Sequence, residues 1–263
     1  MKKRDKEKQR EREKEEGWTH FWFGTGKMAQ AILEGAILKK ISLGQIGLFS
    51  PSGSYSFDGA KSFNQENLEK ECCFKKTKIL WLAMKPKDLP RASLFFNSWE
   101  AEATFSVLAQ TPLSVLKKFC KAPLVRAMPN ILSRKGLGTT VLFSEEKKAL
   151  KMAVDFFSSI GSVTVVEEEE QLDTLVPLNG CGPALVSYLL QGLEESYLEL
   201  KSPYVKKLLL ETAKNTVEYL QAEENYEDLI KSVASKGGIT ENILKSWDEV
   251  HLKELLRKGL QCL

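Results

Sequence analysis

The stretch that decides the fold is Thr19 to Leu38, THFWFGTGKMAQAILEGAIL, where a short apolar run enters a glycine turn and leaves as an apolar-periodic helix. Phe21 to Phe23 reads as a strand, and Met28, Ile32, Leu33, Ala36 and Ile37 share one face of the helix that follows. In a strand-turn-helix of this kind Gly24 allows the tight turn, Gly26 lets backbone approach a pyrophosphate, and the small Ala29 lets helix and strand pack closely. Phosphates would then sit at the helix N-terminus, where free N–H groups and the helix dipole favour anions. A glycine turn alone is equally an ordinary strand-to-helix connection. A second strand at Ile46 to Phe49 completes a βαβ unit and favours dinucleotide binding.

Outward from this unit, strands and helices alternate from Thr19 to about Val166, the pattern of a parallel sheet covered on both faces. Candidate strands are Thr19 to Phe23, Ile46 to Phe49, Ile79 to Met84, Thr104 to Leu108, Leu124 to Ala127, Thr139 to Phe143 and Ser162 to Val166. The segment Ser50 to Gly59, SPSGSYSFDG, is turn chemistry and ends the second strand. Beyond the acidic run Glu167 to Glu170 the character changes. Leu172 to Leu178, Ala184 to Leu200, Tyr204 to Leu220, Tyr226 to Val233 and Glu241 to Leu260 read as helices, with no strand among them. The expected fold is α/β. A charged tail over 1–17, expected to be disordered, precedes a Rossmann-type dinucleotide-binding domain over 18–167 and an all-helical substrate and dimerisation domain over 168–263.

With 263 residues, 43 % of them hydrophobic, the chain has enough apolar material for a packed core. The net charge of +3 is small and spread out, which gives no reason to propose nucleic acid as a partner, and no apolar run approaches a membrane span. Lys2 to Glu16 interleaves both signs, with no apolar segment after it that would make a signal peptide. The five cysteines (Cys72, Cys73, Cys120, Cys181, Cys262) show neither a disulfide-rich spacing nor a CxxC metal pattern. Reduced thiols, a cytoplasmic location and no metal site are the expectation.

NAD-preferring sites place an Asp or Glu at the end of the second strand, on the ribose 2′-hydroxyl. Here Ser50, Pro51 and Ser52 stand there. Hydroxyls and backbone amides tolerate a 2′-phosphate that a carboxylate would repel, so NADP is the preferred cofactor and NAD the possible one; no arginine adjoins the turn in sequence. Lys85 and Pro86 follow a strand at the carboxyl edge, where ligands of such folds bind, although a surface lysine before a helix-starting proline reads the same way. RAMPN, Arg126 to Asn130, ends another strand. Asn130 could hold backbone or a nicotinamide-side group, and Arg126 could be a structural ion-pair partner. NGCGPA, Asn179 to Ala184, interrupts a helical pattern with two glycines and a proline, and a helix break is expected there. SKGGIT, Ser235 to Thr240, precedes a helix and offers free N–H groups for a small carboxylate, with the Thr240 hydroxyl as donor; a glycine turn with a threonine cap is the plainer reading.

Taken in order, GTGKMAQAIL, AMKP, RAMPN, LDTLVPLNGCGPA and SKGGIT resemble the pyrroline-5-carboxylate reductase family from about Phe21 to Trp247. The resemblance implies a Rossmann domain followed by a helical dimerisation domain, a homodimer or higher oligomer, and NAD(P)H-dependent reduction of the ring imine of pyrroline-5-carboxylate to proline. It places Gly24, Thr25, Gly26, Lys27 and Met28 along the pyrophosphate, Ser50 and Ser52 near the adenosine ribose, and Ala83, Met84, Lys85 and Pro86 along the nicotinamide half, with Asn130 in the same cofactor set. Ser235, Gly237, Gly238, Ile239 and Thr240 fall on the family's substrate loop, where amides hold the carboxylate and the catalytic Thr240 reaches the ring nitrogen; Glu169 matches an acidic position that helps enclose substrate. The chain departs from the pattern at Lys236, where the family has proline, and at Leu108 to Thr111, where Gln110 replaces a glycine.

Two rivals stand beside this reading. A β-hydroxyacid dehydrogenase resembles the layout but uses a lysine one helical turn after a glycine pair, and Pro183 to Leu190, PALVSYLL, has none. A catalytically weak paralogue acting as a nucleotide-binding regulatory protein is the other. The two histidines, His20 and His251, lie outside every motif, which counts against a dehydrogenase built on a catalytic histidine.

Overall fold

The computed structural model describes residues 17–51, 53, 55–68, 76–197, 202–223 and 225–260. All of the expected charged tail but Gly17 lies outside these residues, as do Ser52, Cys72, Cys73, Cys262 and the last three positions of the helix expected from Ala184 to Leu200. The chain forms two compact units, the first ending at Pro183 and the second beginning at Ala184.

The first unit is built on an eight-stranded sheet: β1 (Trp18–Phe23), β2 (Ile46–Phe49), β3 (Ala60–Phe63), β4 (Lys76–Leu82), β5 (Glu100–Ser106), β6 (Leu124–Pro129), β7 (Gly138–Phe143) and β8 (Gly161–Val165), in the order β3-β2-β1-β4-β5-β6-β7-β8. The first six strands are parallel in the Rossmann order, with the switch of direction at β1. β7 departs from the all-parallel expectation and runs antiparallel to β6. The chain between them is a short 3-10 turn, Ile131–Lys135, closed by Gly136 at φ +65°. A connection that short cannot make a parallel crossover.

Alternation along the strands sorts side chains into two layers. Phe21 and Phe23 face one side with Leu80 and Leu82, and there they meet α2 (Leu89–Phe96) and the short α3 (Leu113–Leu116). Trp22 faces the other side with Trp81, Phe105 and Val125, under α1 (Lys27–Leu38) and α4 (Lys147–Phe157). Trp22 and Trp81 are register partners on β1 and β4, and their rings stack at 4.0 Å. Gly35 of α1 lies so close to the Ser133 carbonyl that a Cβ would overlap it, and the Arg134–Glu34 ion pair at 2.6 Å flanks this contact. Burial pushes the Cys120 thiol up to about 12, which keeps it protonated and inert.

His20 belongs to the α1/α4 layer, where its Nδ1 accepts a hydrogen bond from Trp81 Nε1 at 3.0 Å. Desolvation, helped by Lys78, lowers its pKa to about 4. A folded pKa below the unfolded value of about 6.5 means that the stabilisation is complete above pH 6.5 and is lost as pH falls to about 4. That loss amounts to about 3 kcal/mol. Denaturant titrations across this range should show a shallower pH dependence for His20→Gln, which keeps an acceptor for the indole, than for the wild type. Parallel curves would remove His20 as the cause.

After β8 the chain enters α5 (Glu169–Val176), started by a capping box in which the Glu168 carboxylate and the Gln171 side chain satisfy each other's backbone N–H. The break expected at NGCGPA takes another form. Pro177–Cys181 is a single π turn, wider than an α turn, and it leads directly into α6 (Gly182–Ser196). The widening sets Asn179 against the sheet, where its Nδ2 donates to the carbonyls of Met128 at 2.6 Å and Thr139 at 3.0 Å. Leu172 of α5 packs on Met128 and Val141, and this helix lies within the first compact unit.

The second unit contains the rest of α6, then α7 (Val205–Glu223), α8 (Tyr226–Val233), α9 (Ile239–Glu249) and α10 (Leu252–Leu260). Asn225 caps α8 by accepting from the N–H groups of Glu227 and Asp228. The single helix expected over Glu241 to Leu260 is two, with His251 at φ +54° between them. Among the described residues none of this unit's apolar side chains is fully buried, and Tyr188, Leu208 and Ile239 are 76 %, 64 % and 80 % exposed. No helix among the described residues is long and apolar enough to cross a membrane.

Candidate functional site

The ends of four parallel strands meet at one edge of the first unit. Gly24 N–H donates to Phe49 O at 2.9 Å, Ala83 N–H to Phe23 O at 2.8 Å, and Val107 N–H to Leu82 O at 3.0 Å. This row sets Gly24 to Gly26, Ser50, and Ala83 to Pro86 side by side at the carboxyl edge. Gly24 has φ +104°, and a Cβ on it would sit 2.5 Å from backbone atoms of Ala83 and Met84. Gly26 is the N-cap of α1 with no side-chain cap, so the amides of the first turn are left for another acceptor. A Cβ on Gly26 would meet nothing nearer than the Ala83 carbonyl oxygen at 3.9 Å. Protein packing therefore does not demand glycine at 26, whereas close approach of a ligand to the backbone would. Gln30 fastens the turn by donating from Nε2 to the Thr25 carbonyl at 2.8 Å. Lys27, Lys85 and Pro86 are exposed, and Met28, Ala83 and Met84 are half-buried.

Beside Gly24 a cleft opens between the end of β2 and α2, floored by Phe49, Met84 and Phe95, with Pro51 at its lip. Ser50 is buried, its N–H donates to Phe63 O at 3.1 Å, and its Oγ has no hydrogen-bond partner. An orphaned hydroxyl at the strand end where dinucleotide folds bind ribose fits the cofactor.

Asn130 and Glu169 do not join this edge cluster. Asn130 is 5 % exposed; its Oδ1 accepts from the N–H groups of Leu132 and Thr139, and its Nδ2 donates to Asn179 Oδ1. The side chain holds backbone, one of the two roles its position allows. Glu169 Oε1 accepts from Leu113 N–H at 2.7 Å and from Arg126 Nη1 at 2.8 Å. Arg126 also bonds Asp173 through both terminal nitrogens, at 3.0 and 2.6 Å. Burial opposes the Arg126 charge, but hydrogen bonds to Asp173 and Glu169 more than offset it and hold the guanidinium above its ordinary pKa. In the loop after β5, Gln110 has φ +52°, the left-handed region that favours glycine.

The loop of the second unit forms a four-residue turn. Gly238 N–H donates to Ser235 O at 2.9 Å, and Gly237, third in the turn, has φ +72°. That is where a type II turn needs glycine; the second position, favoured by proline, is Lys236. Gly238 is the N-cap of α9 without a side-chain cap, so Ile239 and Thr240 contribute first-turn amides. The Gly237 amide donates to Glu241 Oε2 at 2.6 Å. That bond, with Lys245 beside it, holds the Glu241 carboxyl below the usual range. The loop thus already holds a carboxylate, one of the chain's own. Thr240 is half-buried and Ser235 exposed.

Sequence reasoning missed three participants. By sequence Asn179 belongs to the helix break and Glu241 to a helix start, and neither announces the contact it makes; the third is Arg91, which lines the cleft. Glu241 had a sequence signal, an acid in the first turn of a helix after a glycine pair. Arg91 had none, because it lies far from Ser50 in sequence.

A Rossmann sheet with an uncapped glycine turn at its switch point defines the class of dinucleotide-binding proteins. The pyrroline-5-carboxylate reductase dimerisation family matches residues 169–262. The chain is 30 % identical over 228 residues to the pyrroline-5-carboxylate reductase of Synechocystis sp., covering 82 % of this chain and 85 % of that protein. It is 26 % identical over 255 residues to pyrroline-5-carboxylate reductase 2 of Bacillus subtilis, covering 89 % and 88 %. Its fold resembles the NADP-bound pyrroline carboxylate reductase of Plasmodium falciparum with a TM-score of 0.80 at 22 % identity, covering 94 % of this chain and 95 % of that one. The chain belongs to the pyrroline-5-carboxylate reductase family.

Proposed function

We propose that the protein reduces the imine of 1-pyrroline-5-carboxylate to proline with a reduced nicotinamide dinucleotide, NADPH in preference to NADH, as a cytoplasmic homodimer or higher homo-oligomer. Beyond family membership, the observation that carries the reading is the Gly237 amide holding a carboxylate, since a cyclic imino acid presents that group. The turn from Gly24 to Met28 would lie along the pyrophosphate, Ser50 and Ser52 by the adenosine ribose, and Ala83 to Pro86 along the nicotinamide half. When bound, the cofactor supplies the hydride. The chain's own residues bind and orient: Ser235, Gly237, Gly238 and Ile239 cradle the carboxylate, Thr240 donates to the ring nitrogen, and the substrate carboxylate takes over the amide that Glu241 occupies. The exposed apolar faces of α6 to α10, within a match to a dimerisation family, support the oligomer.

The test is NADPH oxidation on adding pyrroline-5-carboxylate, which should be saturable. Thr240→Ala should lower kcat roughly ten- to a hundredfold, the worth of one charge-assisted hydrogen bond, with NADPH affinity unchanged. Tight NADPH binding without turnover by the wild type would favour the nucleotide-binding regulatory protein. Activity confined to hydroxy acids would sink the imine reductase.

A further inference from the structure

We infer that Arg91 is the cationic group that selects a 2′-phosphate on the adenosine half of the dinucleotide. This rests on the cofactor reading above and names a residue that the resemblance does not supply. The chain reaches Arg91 by an indirect route. β4 ends at Leu82, Lys85 and Pro86 turn the backbone, and α2 begins at Leu89 with Pro90 in its first turn, which puts Arg91 one residue further into the helix. Because β4 adjoins β1, which in turn adjoins β2, the start of α2 faces the turn after β2 across the cleft.

The lining of that cleft separates into an apolar floor and a polar rim. Phe49, Phe95 and Pro51 offer flat apolar surface suited to a purine, with the Phe49 and Phe95 rings 5.1 Å apart. The rim carries Gln65, Asp88 and Arg91. Arg91 Nη2 donates to Gln65 Oε1 at 3.2 Å, and Arg91 makes no ion pair among the described residues. Gln65 thus holds the guanidinium at the rim through one of its five N–H groups and leaves the others for an anion. A phosphate is the anion whose geometry the guanidinium fork matches. Across the cleft from it stands Pro51, and Ser50 just before it occupies the strand end where an NAD site would have a carboxylate on the 2′-hydroxyl. Asp88 is the opposing charge on the same rim; it stands at the N-terminus of α2, where the helix dipole favours a negative charge, and it weakens the selection.

The experiment measures binding of ADP-ribose and of 2′-phospho-ADP-ribose to the full-length protein by calorimetry; neither probe carries the nicotinamide or needs turnover. The wild type should prefer the phosphorylated probe. Arg91→Ala should weaken that probe roughly ten- to a hundredfold and change ADP-ribose less than about threefold. Arg91→Lys should recover part of the loss, and Asp88→Asn should strengthen the phosphorylated probe. Arg91 is exposed, so these variants are expected to fold. If Arg91→Ala leaves the ratio of the two affinities unchanged, or if the wild type shows no preference, the role given to Arg91 is wrong while the reductase reading stands. If neither probe binds the wild type, the dinucleotide reading itself fails and this inference with it.

Discussion

Gly26→Ala is expected to fold like the wild type and to bind NADPH roughly a hundredfold more weakly. The contrast with Gly24 gives this expectation its force. Gly24 sits at φ +104° with backbone of Ala83 and Met84 2.5 Å from any Cβ, so alanine there strains the fold before any ligand arrives. Gly26 is in an ordinary extended conformation, φ −70° and ψ 178°, with its first potential neighbour 3.9 Å away. Alanine fits that space, but its methyl group stands where a pyrophosphate would approach the first amides of α1. Losing one or two charge-assisted hydrogen bonds of about 1.5–3 kcal/mol each gives the hundredfold figure. Thermal unfolding and NADPH fluorescence titration of both variants check it. Gly24→Ala should lower Tm as well as affinity, and Gly26→Ala affinity alone. Undiminished NADPH affinity in Gly26→Ala would mean that the pyrophosphate does not lie on this turn.

Arg126→Met should destabilise the first unit by about 3 kcal/mol, a large part of a typical domain's stability. Arg126 is completely buried, and three hydrogen bonds of 2.6 to 3.0 Å tie it to Asp173 and Glu169, which fastens β6 to the N-terminal part of α5. Removing one member of a buried pair costs about 3–5 kcal/mol. The lower end applies because the Asp173 and Glu169 side chains are 48 % and 22 % exposed and can be rehydrated, and Glu169 keeps the Leu113 amide. Asp173→Asn should cost less, since the guanidinium retains Glu169. Urea titrations of the three proteins at one concentration decide it. A change within about 0.5 kcal/mol for Arg126→Met would show that methionine packing replaces the cluster without loss.

The parts of the fold legible in the sequence are those written in apolar periodicity. Phe21 to Phe23, Ile46 to Phe49 and Tyr226 to Val233 fall where the pattern puts them, because their side chains are sorted by burial or amphipathicity. β3 is missing from the strands that the pattern offers because Ala60–Phe63 is an edge strand with one fully buried side chain, Phe63, and so carries almost no apolar signal. The direction of β7 was not legible either: alternation gives which face a residue takes and says nothing of which way the strand runs. The π turn replaced the expected break because Asn179 has two strand carbonyls to satisfy, a tertiary demand that no local rule encodes. His251 ends α9 at φ +54° without the glycine that would have marked it. In the candidate site the glycine turns were readable, since glycine announces the conformations that other residues avoid. The positioning of Asn130, Glu169 and Arg91 was not, since each takes its partner from a distant part of the chain.

In the proposed homodimer, the exposed apolar side chains of α6 to α10 would make dilution a thermodynamic variable for this protein. In a homodimer that covers them, each subunit acts as a ligand of the folded state of the other, and the free energy holding the helices together grows logarithmically with the amount of chain present. A tenfold dilution would remove about 1.4 kcal/mol from that association. The sheet of the first unit draws its stability from side chains already buried within one subunit and would feel dilution far less. Scarcity of the chain would therefore loosen the half that carries Thr240 before the half that carries Gly24.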